Sequence, residues 1–209
     1  MSLENHRNFI PDWFKPYPHF AKQWDRYNQT VRETGISHGL VMEDLEILLS
    51  WVDNIPKGGT YMEIGVGGGL CTLSIAEYRP DIKCYGVDIN TSPIPADAMK
   101  KYGIKNVELF LGTRSEDLCM IWDKGEIDMM FIDANHSFKN VVWDYLGWYP
   151  YIKKGGMIMF HDTDDFEGNE RSDVGKLLRI FFDHPGYDSF FSSYNGGISS
   201  WITTLRKPL

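Results

Sequence analysis

Hydrophobic and polar positions along this chain follow two periods, one typical of strands and one typical of helices. A short apolar run, Thr60–Ile64, is followed by a glycine-rich turn and by a helical pattern over Leu70–Tyr78. Strands are predicted in the same way at Ile82–Val87, Val107–Leu111, Ile127–Ile132 and Met157–Phe160. The runs Tyr187–Tyr194 and Ile198–Leu205 flank Asn195-Gly196-Gly197, a spacing that predicts a terminal β-hairpin.

Helical patterns occupy the stretches between these strands. One predicted helix begins at Val41 and ends before Pro56, and a second begins after Pro95. Three more cover Asp117–Trp122, Phe138–Tyr151 and Val174–Phe182. Such alternation predicts a parallel sheet with right-handed crossovers and helices on both faces. The expected fold is a three-layer, doubly wound α/β domain with a seven-stranded, mostly parallel sheet and a C-terminal antiparallel hairpin. Ligands of such sheets bind at the carboxyl ends of the strands.

Residues 1–40 follow neither period. Aromatic residues alternate with prolines there, and the aromatic set is Phe9, Trp13, Phe14, Tyr17, Phe20, Trp24 and Tyr27. Because so many aromatic side chains are seldom left in water, we expect residues 1–40 to form a cap or lid on the domain of residues 41–209.

Composition and charge narrow the choice of partners. The chain of 209 residues is 43% hydrophobic and 24% charged, which is typical of a globular protein. It has no apolar run long enough to span a membrane, no signal-peptide core and only three cysteines, so we expect reduced thiols, a cytoplasmic location and no membrane partner. A net charge of −8 without any basic run predicts a small-molecule substrate and no nucleic acid. The surplus of aromatic residues is compatible with a homodimer.

The turn after the first strand combines glycines with acidic residues. Gly65, Gly67 and Gly69 let the backbone turn tightly and let a ligand approach without a Cβ in the way. Glu63 stands two places before the first of these glycines, where a buried carboxylate is costly without a cationic or hydrogen-bonding partner. Asp88 ends the second strand, where a carboxylate can accept both hydroxyl groups of a ribose.

This arrangement resembles the first motif and the acidic loop of class I S-adenosylmethionine (SAM)-dependent methyltransferases, over about residues 40–205. The resemblance implies a Rossmann-like methyltransferase fold in which the glycine turn passes under the methionine portion of SAM, Asp88 binds the ribose and Ser115 borders the adenine. The implied cofactor-binding residues are Glu63, Gly65, Gly67, Gly69, Asp88, Ser115 and Asp133.

A second group of ionisable residues follows the fourth and fifth strands. Asp133 and His136 come after the fourth strand, and His161 and Asp162 come after the fifth. Because the ends of these strands are neighbours in the predicted sheet, the four side chains are expected to lie close together at the opening of one binding site.

The residue pattern of this segment resembles the small O-methyltransferase and TylF/cephalosporin-hydroxylase-like branch, and the spacing of its residues resembles catechol O-methyltransferase. These resemblances imply that Asp133, His161 and Asp162 hold Mg²⁺ or another divalent cation and that His136 is the catalytic base. Mg²⁺ prefers oxygen ligands, so the histidine at 161 leaves three alternatives: ligation by the two aspartates alone, a transition ion such as Mn²⁺, or a site without metal.

The function implied is SAM-dependent methyl transfer to a small-molecule acceptor, with a hydroxyl oxygen as the acceptor atom. Two other classes stay open. One is a nicotinamide-dinucleotide oxidoreductase, which the carboxylate of Glu63 and the absence of a glycine at Leu70 oppose. The other is a non-catalytic cofactor-binding protein, since a fold alone never establishes an activity.

Overall fold

Helices and strands alternate in the order that the sequence predicts. The computed structural model describes residues 42–163, 173–182, 188–192 and 202–209, together with positions 22, 25 and 29. The helices are α1 (Met42–Val52), α2 (Leu70–Tyr78), α3 (Ile94–Tyr102), α4 (Ser115–Met120), α5 (Phe138–Trp148) and α6 (Val174–Phe182), and a 3₁₀ turn spans Tyr149–Tyr151. The strands are β1 (Thr60–Ile64), β2 (Lys83–Asp88), β3 (Val107–Leu111), β4 (Ile127–Ile132), β5 (Ile152–Phe160), β6 (Asp188–Ser192) and β7 (Ile202–Arg206). The predicted cap of residues 1–40 (apart from the three positions above) and the turn at 195–197 lie outside the described residues.

The strands form one seven-stranded sheet in the order β3-β2-β1-β4-β5-β7-β6. Strands β1 to β5 pair in parallel, whereas β7 pairs antiparallel with both β5 and β6. The predicted doubly wound sheet with an antiparallel pair at its C-terminal end is therefore confirmed. Strand order reverses between β1 and β4, and open α/β sheets bind their ligands at this kind of switch point.

Strand β5 is longer than the sequence predicts. It begins at Ile152 rather than at Met157, and it includes the polar, glycine-containing stretch Lys153-Lys154-Gly155-Gly156. Lys153 in this stretch has a charged partner, because its Nζ lies 2.7 Å from the Asp128 carboxylate of the neighbouring strand. The apolar pattern alone could not locate this start, because lysines and glycines at 153–156 separate Ile152 from the apolar run that begins at Met157.

Each face of the sheet is covered by its own hydrophobic cluster. On one face α1 and α2 bury Leu48, Leu49 and Ile75 against Tyr61 and Phe131 of the central strands. On the other face α4, α5 and α6 cover Met62 and Ile64 of β1, and Tyr145, Trp148 and Leu178 are the helix residues of this cluster. The two clusters confirm the three-layer architecture, with the sheet between helices on both faces.

Two further properties of the chain are visible in the described residues. The three cysteines, Cys71, Cys84 and Cys119, are buried free thiols. Among the helices that the structure describes, none combines the length and the apolar character that crossing a membrane requires.

Candidate active site

A cavity of about 500 Å³ opens at the carboxyl ends of the central strands. Its lining comes from the ends of β1, β2 and β4, from the loop after β3 and from one side of α5. The residues that line it include Glu63, Gly65, Gly67, Asp88, Ser115, Asp133, Trp143 and Asp144. Six of the seven residues predicted to bind a cofactor therefore face one cavity; the seventh, Gly69, starts α2 immediately behind it.

The glycine turn is held close to the loop that follows β4. Gly65 has φ of +95°, and a Cβ added there would lie 2.0 Å from the carbonyl oxygen of Asp133. Gly69 caps α2 with φ of +87°, and a Cβ added there would lie 2.7 Å from Pro95. L-residues are strained at such φ values, so both positions require glycine for conformation as well as for space. A Cβ on Gly67, in contrast, would meet no atom within 4 Å, because this residue faces the open cavity.

Glu63 is buried in the sheet with only 1% of its surface exposed. Its carboxyl group lies within hydrogen-bond distance of the Thr72 hydroxyl and accepts a longer hydrogen bond from the Tyr61 hydroxyl, at 3.4 Å. Burial raises the pKa of Glu63 to about 8 in spite of these hydrogen bonds. The protonated form is therefore favoured at neutral pH, and a cation or a further donor that enters the cavity would stabilise the carboxylate.

Asp88 lies at the end of β2 and faces the glycine turn. Its Oδ2 accepts a hydrogen bond from the Gly67 amide, and its Oδ1 accepts one from the Asn90 amide, both at 2.7 Å. A carboxylate offers about four lone pairs, so two acceptor sites remain for a ligand. This geometry suits recognition of a vicinal diol.

The far end of the cavity contains a carboxylate that the sequence did not single out. Asp144 of α5 is 6% exposed, and it forms a hydrogen bond with Ser115. Burial raises the pKa of Asp144 to about 6. The Ser115 hydroxyl also accepts a hydrogen bond from the Trp148 indole at 2.8 Å, so that α5 orients Ser115. The sequence placed Asp144 on this helix but gave no partner for it, since the pairing joins two helices.

The four ionisable residues after β4 and β5 do converge, as predicted. His161 Nδ1 lies 3.3 Å from Asp133 Oδ1 and 3.1 Å from Asp162 Oδ2. His136 Nε2 lies 3.0 Å from Asp162 Oδ2 and 3.8 Å from Asp133 Oδ1. These side chains form a compact group of two carboxylates and two imidazoles beside the glycine turn.

The close contacts shift the pKa values within this cluster. Burial raises the pKa of Asp133, but the close contacts of its carboxylate with His136 and His161 outweigh it and lower the value to about 2. The nearby carboxylates of Asp133 and Asp162 raise the pKa of His136. Burial opposes a positive charge on His161, yet the carboxylates around it hold its pKa well above the usual value. The cluster therefore strongly favours a positive charge at its centre.

Asp162 has an unusual backbone conformation. Among the described residues it is the one residue other than glycine with positive φ, at 53°. Aspartate tolerates this left-handed region better than most residues, and strain of this kind concentrates at functional sites. The turn directs the Asp162 carboxylate toward both histidines.

The sequence did not identify a third carboxylate at His161. Asp44 lies on α1 and is 1% exposed, and its Oδ2 accepts a hydrogen bond from Nε2 of His161 at 3.2 Å. Asp44 and His161 stand 117 positions apart. The sequence carries one weak signal for this pair, an acidic residue next to the apolar positions of a predicted helix.

Residues 62–163 match a family described as a methyltransferase domain. The match covers 102 of the 209 residues, from 62 to 163. The matched segment begins in β1 and ends just after β5, so it contains the glycine turn, Asp88 and the ionisable cluster. The resemblance to class I methyltransferases is thus confirmed for the domain.

Solved structures support the fold of the methyltransferase domain. The O-methyltransferase TomG from Streptomyces achromogenes, solved in complex with SAM, superimposes with a TM-score of 0.70 at 16% identity, covering 94% of this chain and 92% of TomG. An rRNA methylase from Streptococcus thermophilus superimposes with a TM-score of 0.64 at 12% identity, covering 79% of this chain and 96% of that protein. At these identities the likeness establishes the fold and not the acceptor.

The expectation that excludes nucleic acid as a partner is wrong. A tRNA (guanine-N(7)-)-methyltransferase from Streptococcus agalactiae serotype III is 35% identical over 75 residues, which are 35% of this chain and 35% of that relative. The chain thus spans about a third of the length of the first curated relatives that it matches. The error came from using the net charge of −8, which sums over the whole chain and does not describe the surface around one cavity.

Proposed function

We propose that this protein transfers the methyl group of SAM to a hydroxyl oxygen of an acceptor molecule. The observation that carries this proposal is the cluster of Asp133, His136, His161 and Asp162 beside the cavity. A hydroxyl group is a weak nucleophile until it loses its proton, and a site for oxygen methylation therefore needs a base or a positive charge next to the acceptor. The cluster supplies groups for both.

The cofactor in this proposal occupies the cavity along the glycine turn. The two unused acceptor sites of Asp88 bind the ribose hydroxyl groups. Ser115 and Asp144 lie at the adenine end, where the Asp144 carboxylate accepts a hydrogen bond from the exocyclic amine. Glu63 faces the methionine portion, whose cationic groups favour its ionised form. The methyl group is then directed toward Asp133 and the cluster.

The residues of the cluster fit a divalent cation. His161 Nδ1 is buried and has no aligned hydrogen-bond partner, although two carboxylate oxygens lie 3.1 and 3.3 Å away. Ligands at about 2.1 Å and at right angles around one ion are separated by about 3.0 Å, and the two distances from His161 Nδ1 are close to this value. Ligand atoms of Asp133, His136 and Asp162 also lie within 4.8 Å of one another. We propose that Asp133, His161 and Asp162 hold the ion. A mixed nitrogen and oxygen set favours Mn²⁺ or another transition ion over Mg²⁺.

His136 is the proposed catalytic base. It is the more exposed of the two histidines, with 37% of its side chain accessible, and Asp162 orients its Nε2 at 3.0 Å. An acceptor hydroxyl placed next to the cluster can pass its proton to this imidazole. A bound divalent cation would add positive charge beside the acceptor and so lower the pKa of its hydroxyl group.

The test measures methyl transfer from radiolabelled SAM to catechols, other phenols, sugars and hydroxy acids, with and without a chelator. The variant His136→Ala is expected to lower turnover at least about 100-fold and to leave binding of S-adenosylhomocysteine (SAH) unchanged. Lys139→Ala, a substitution at an exposed position of α5 outside the cavity lining, serves as the control. Unaltered turnover in His136→Ala would remove this residue as the base, and full activity in chelator would remove the cation.

A second acceptor class, tRNA, is favoured by the sequence match to a tRNA (guanine-N(7)-)-methyltransferase. The two classes differ in their chemistry. The N7 atom of guanine already carries a free lone pair, so its methylation needs no proton removal. Label transferred to tRNA with equal rates in wild type and His136→Ala would support tRNA and would contradict oxygen methylation.

A further inference from the structure

Asp44 lies outside the strand ends that build the rest of the site. It belongs to α1, the helix that precedes β1, and Leu45, Leu48 and Leu49 of the same helix are packed into the core. This packing fixes α1 against the sheet. A carboxylate with 1% exposure is costly in such a position unless it has a hydrogen-bonding or charged partner.

One partner of the Asp44 carboxylate is the far side of the His161 ring. His161 is 2% exposed, and its Nε2 lies 3.2 Å from Asp44 Oδ2. A carboxylate can only accept here, so the ring nitrogen Nε2 carries the proton. In the neutral imidazole the lone pair then resides on Nδ1, because each neutral ring has one donor and one acceptor nitrogen.

The opposite ring nitrogen faces the two aspartates of the cluster. Nδ1 of His161 lies 3.1 Å from Asp162 and 3.3 Å from Asp133, but neither contact has hydrogen-bond alignment. Without an ion, these carboxylates favour a proton on Nδ1; a cation that replaced this proton would bind the Nδ1 lone pair and the two carboxylate oxygens together. Histidine ligands in proteins usually donate their second N–H to a carboxylate or carbonyl, which fixes the ring and its tautomer.

We infer that Asp44 is a positioning residue for the proposed divalent cation: it holds His161 in the tautomer and orientation that present Nδ1 to the ion. The inference rests on the cation site proposed above. It adds a residue from the helix before the sheet, so that the site spans three separate parts of the chain. Partners of this kind change metal affinity about 10- to 100-fold when they are removed.

The test compares Mn²⁺ binding by the full-length wild type, Asp44→Asn and Glu46→Gln, with electron paramagnetic resonance of free Mn²⁺ as the readout. Asp44→Asn retains the shape of the side chain and removes its charge. Glu46→Gln removes another buried carboxyl group of the same helix and is the matched control. We expect Asp44→Asn to raise the Mn²⁺ dissociation constant 10- to 100-fold, with Glu46→Gln within about twofold of wild type. SAH binding by calorimetry is expected to be equal in all three proteins.

The possible results distinguish the role inferred for Asp44 from the proposed cation site on which it rests. Equal Mn²⁺ affinity in wild type and Asp44→Asn overturns the role of Asp44 alone. A wild-type protein that binds no Mn²⁺ overturns the cation site and the inference with it.

A measurement on the wild type covers the case in which Asp44→Asn does not fold. Nitrogen-15 NMR of the histidine rings with Zn²⁺ bound is expected to show His161 protonated on Nε2 and ligated through Nδ1. The opposite tautomer contradicts the inference.

Discussion

Substitution of Glu63 by glutamine tests how strongly the sheet perturbs a carboxyl group beside the cavity. Burial raises the pKa of Glu63 from 4.5 to about 8, so the folded protein binds this proton more tightly than the unfolded chain does. The stability that this proton contributes is fully present below pH 4.5 and is lost as the pH rises toward 8. Glutamine has the same shape and does not titrate.

The magnitude follows from the two pKa values. A difference between 4.5 and about 8 corresponds to about 5 kcal/mol once the group is fully ionised, at about 1.4 kcal/mol per pH unit. Part of that loss occurs below pH 6. Between pH 6 and pH 8 wild type is expected to lose about 2 kcal/mol relative to Glu63→Gln.

The assay is urea unfolding of ligand-free wild type and Glu63→Gln at pH 6, 7 and 8. All other titrating groups are common to both proteins, so the difference between their unfolding free energies isolates Glu63. Glu126→Gln removes an exposed carboxyl group and controls for the substitution itself. A difference that stays constant across this pH range would refute the buried, protonated state of Glu63.

Three further predictions concern the cavity. Gly65→Ala places a Cβ 2.0 Å from the Asp133 carbonyl, so it is expected to lower the free energy of unfolding by about 3 kcal/mol or more in urea, whereas an unchanged midpoint would contradict this contact. Asp88→Ala removes the acceptors proposed for the ribose and is expected to weaken SAH binding about 100-fold in calorimetry; unchanged affinity would assign the ribose elsewhere. The pKa of Asp144 is raised from 3.8 to about 6, so its ionisation destabilises the folded protein as the pH rises through this range. Asparagine does not titrate, and Asp144→Asn is therefore expected to be up to about 3 kcal/mol more stable than wild type at pH 7.5. The same variant should lose its preference for SAH over the inosine analogue, which lacks the exocyclic amine; retained preference would exclude Asp144 from adenine recognition.

The sheet could be predicted because its signals are local. Five apolar runs separated by helical patterns define a parallel sheet, and the structure has each of the five strands. Glu63 and Asp88 could be named because each stands at a strand end with a fixed relation to the glycine turn. The ionisable cluster could be predicted for the same reason, since the neighbouring strands β4 and β5 bring their carboxyl ends together.

The contacts that could not be predicted join elements distant in sequence. Asp44 reaches His161 only because α1 packs on one face of the sheet, and Asp144 reaches Ser115 only because α5 packs beside α4. Neither residue has a spacing that marks its role. The expectation about nucleic acid was wrong for another reason: the net charge sums over the whole chain and does not describe the surface around the cavity.

The left-handed backbone at Asp162 restricts how this protein could be redesigned. Any attempt to change which ion the cluster prefers would begin by exchanging its side chains for cysteine, histidine or glutamate. At residue 162 an exchange for cysteine or glutamate adds about 1–3 kcal/mol of conformational strain to whatever coordination it gains, since φ is 53° there and histidine tolerates this region better. Asparagine and glycine escape that penalty, but they bring weaker donors or none. Engineering of metal preference would therefore start more profitably at residues 133 and 161.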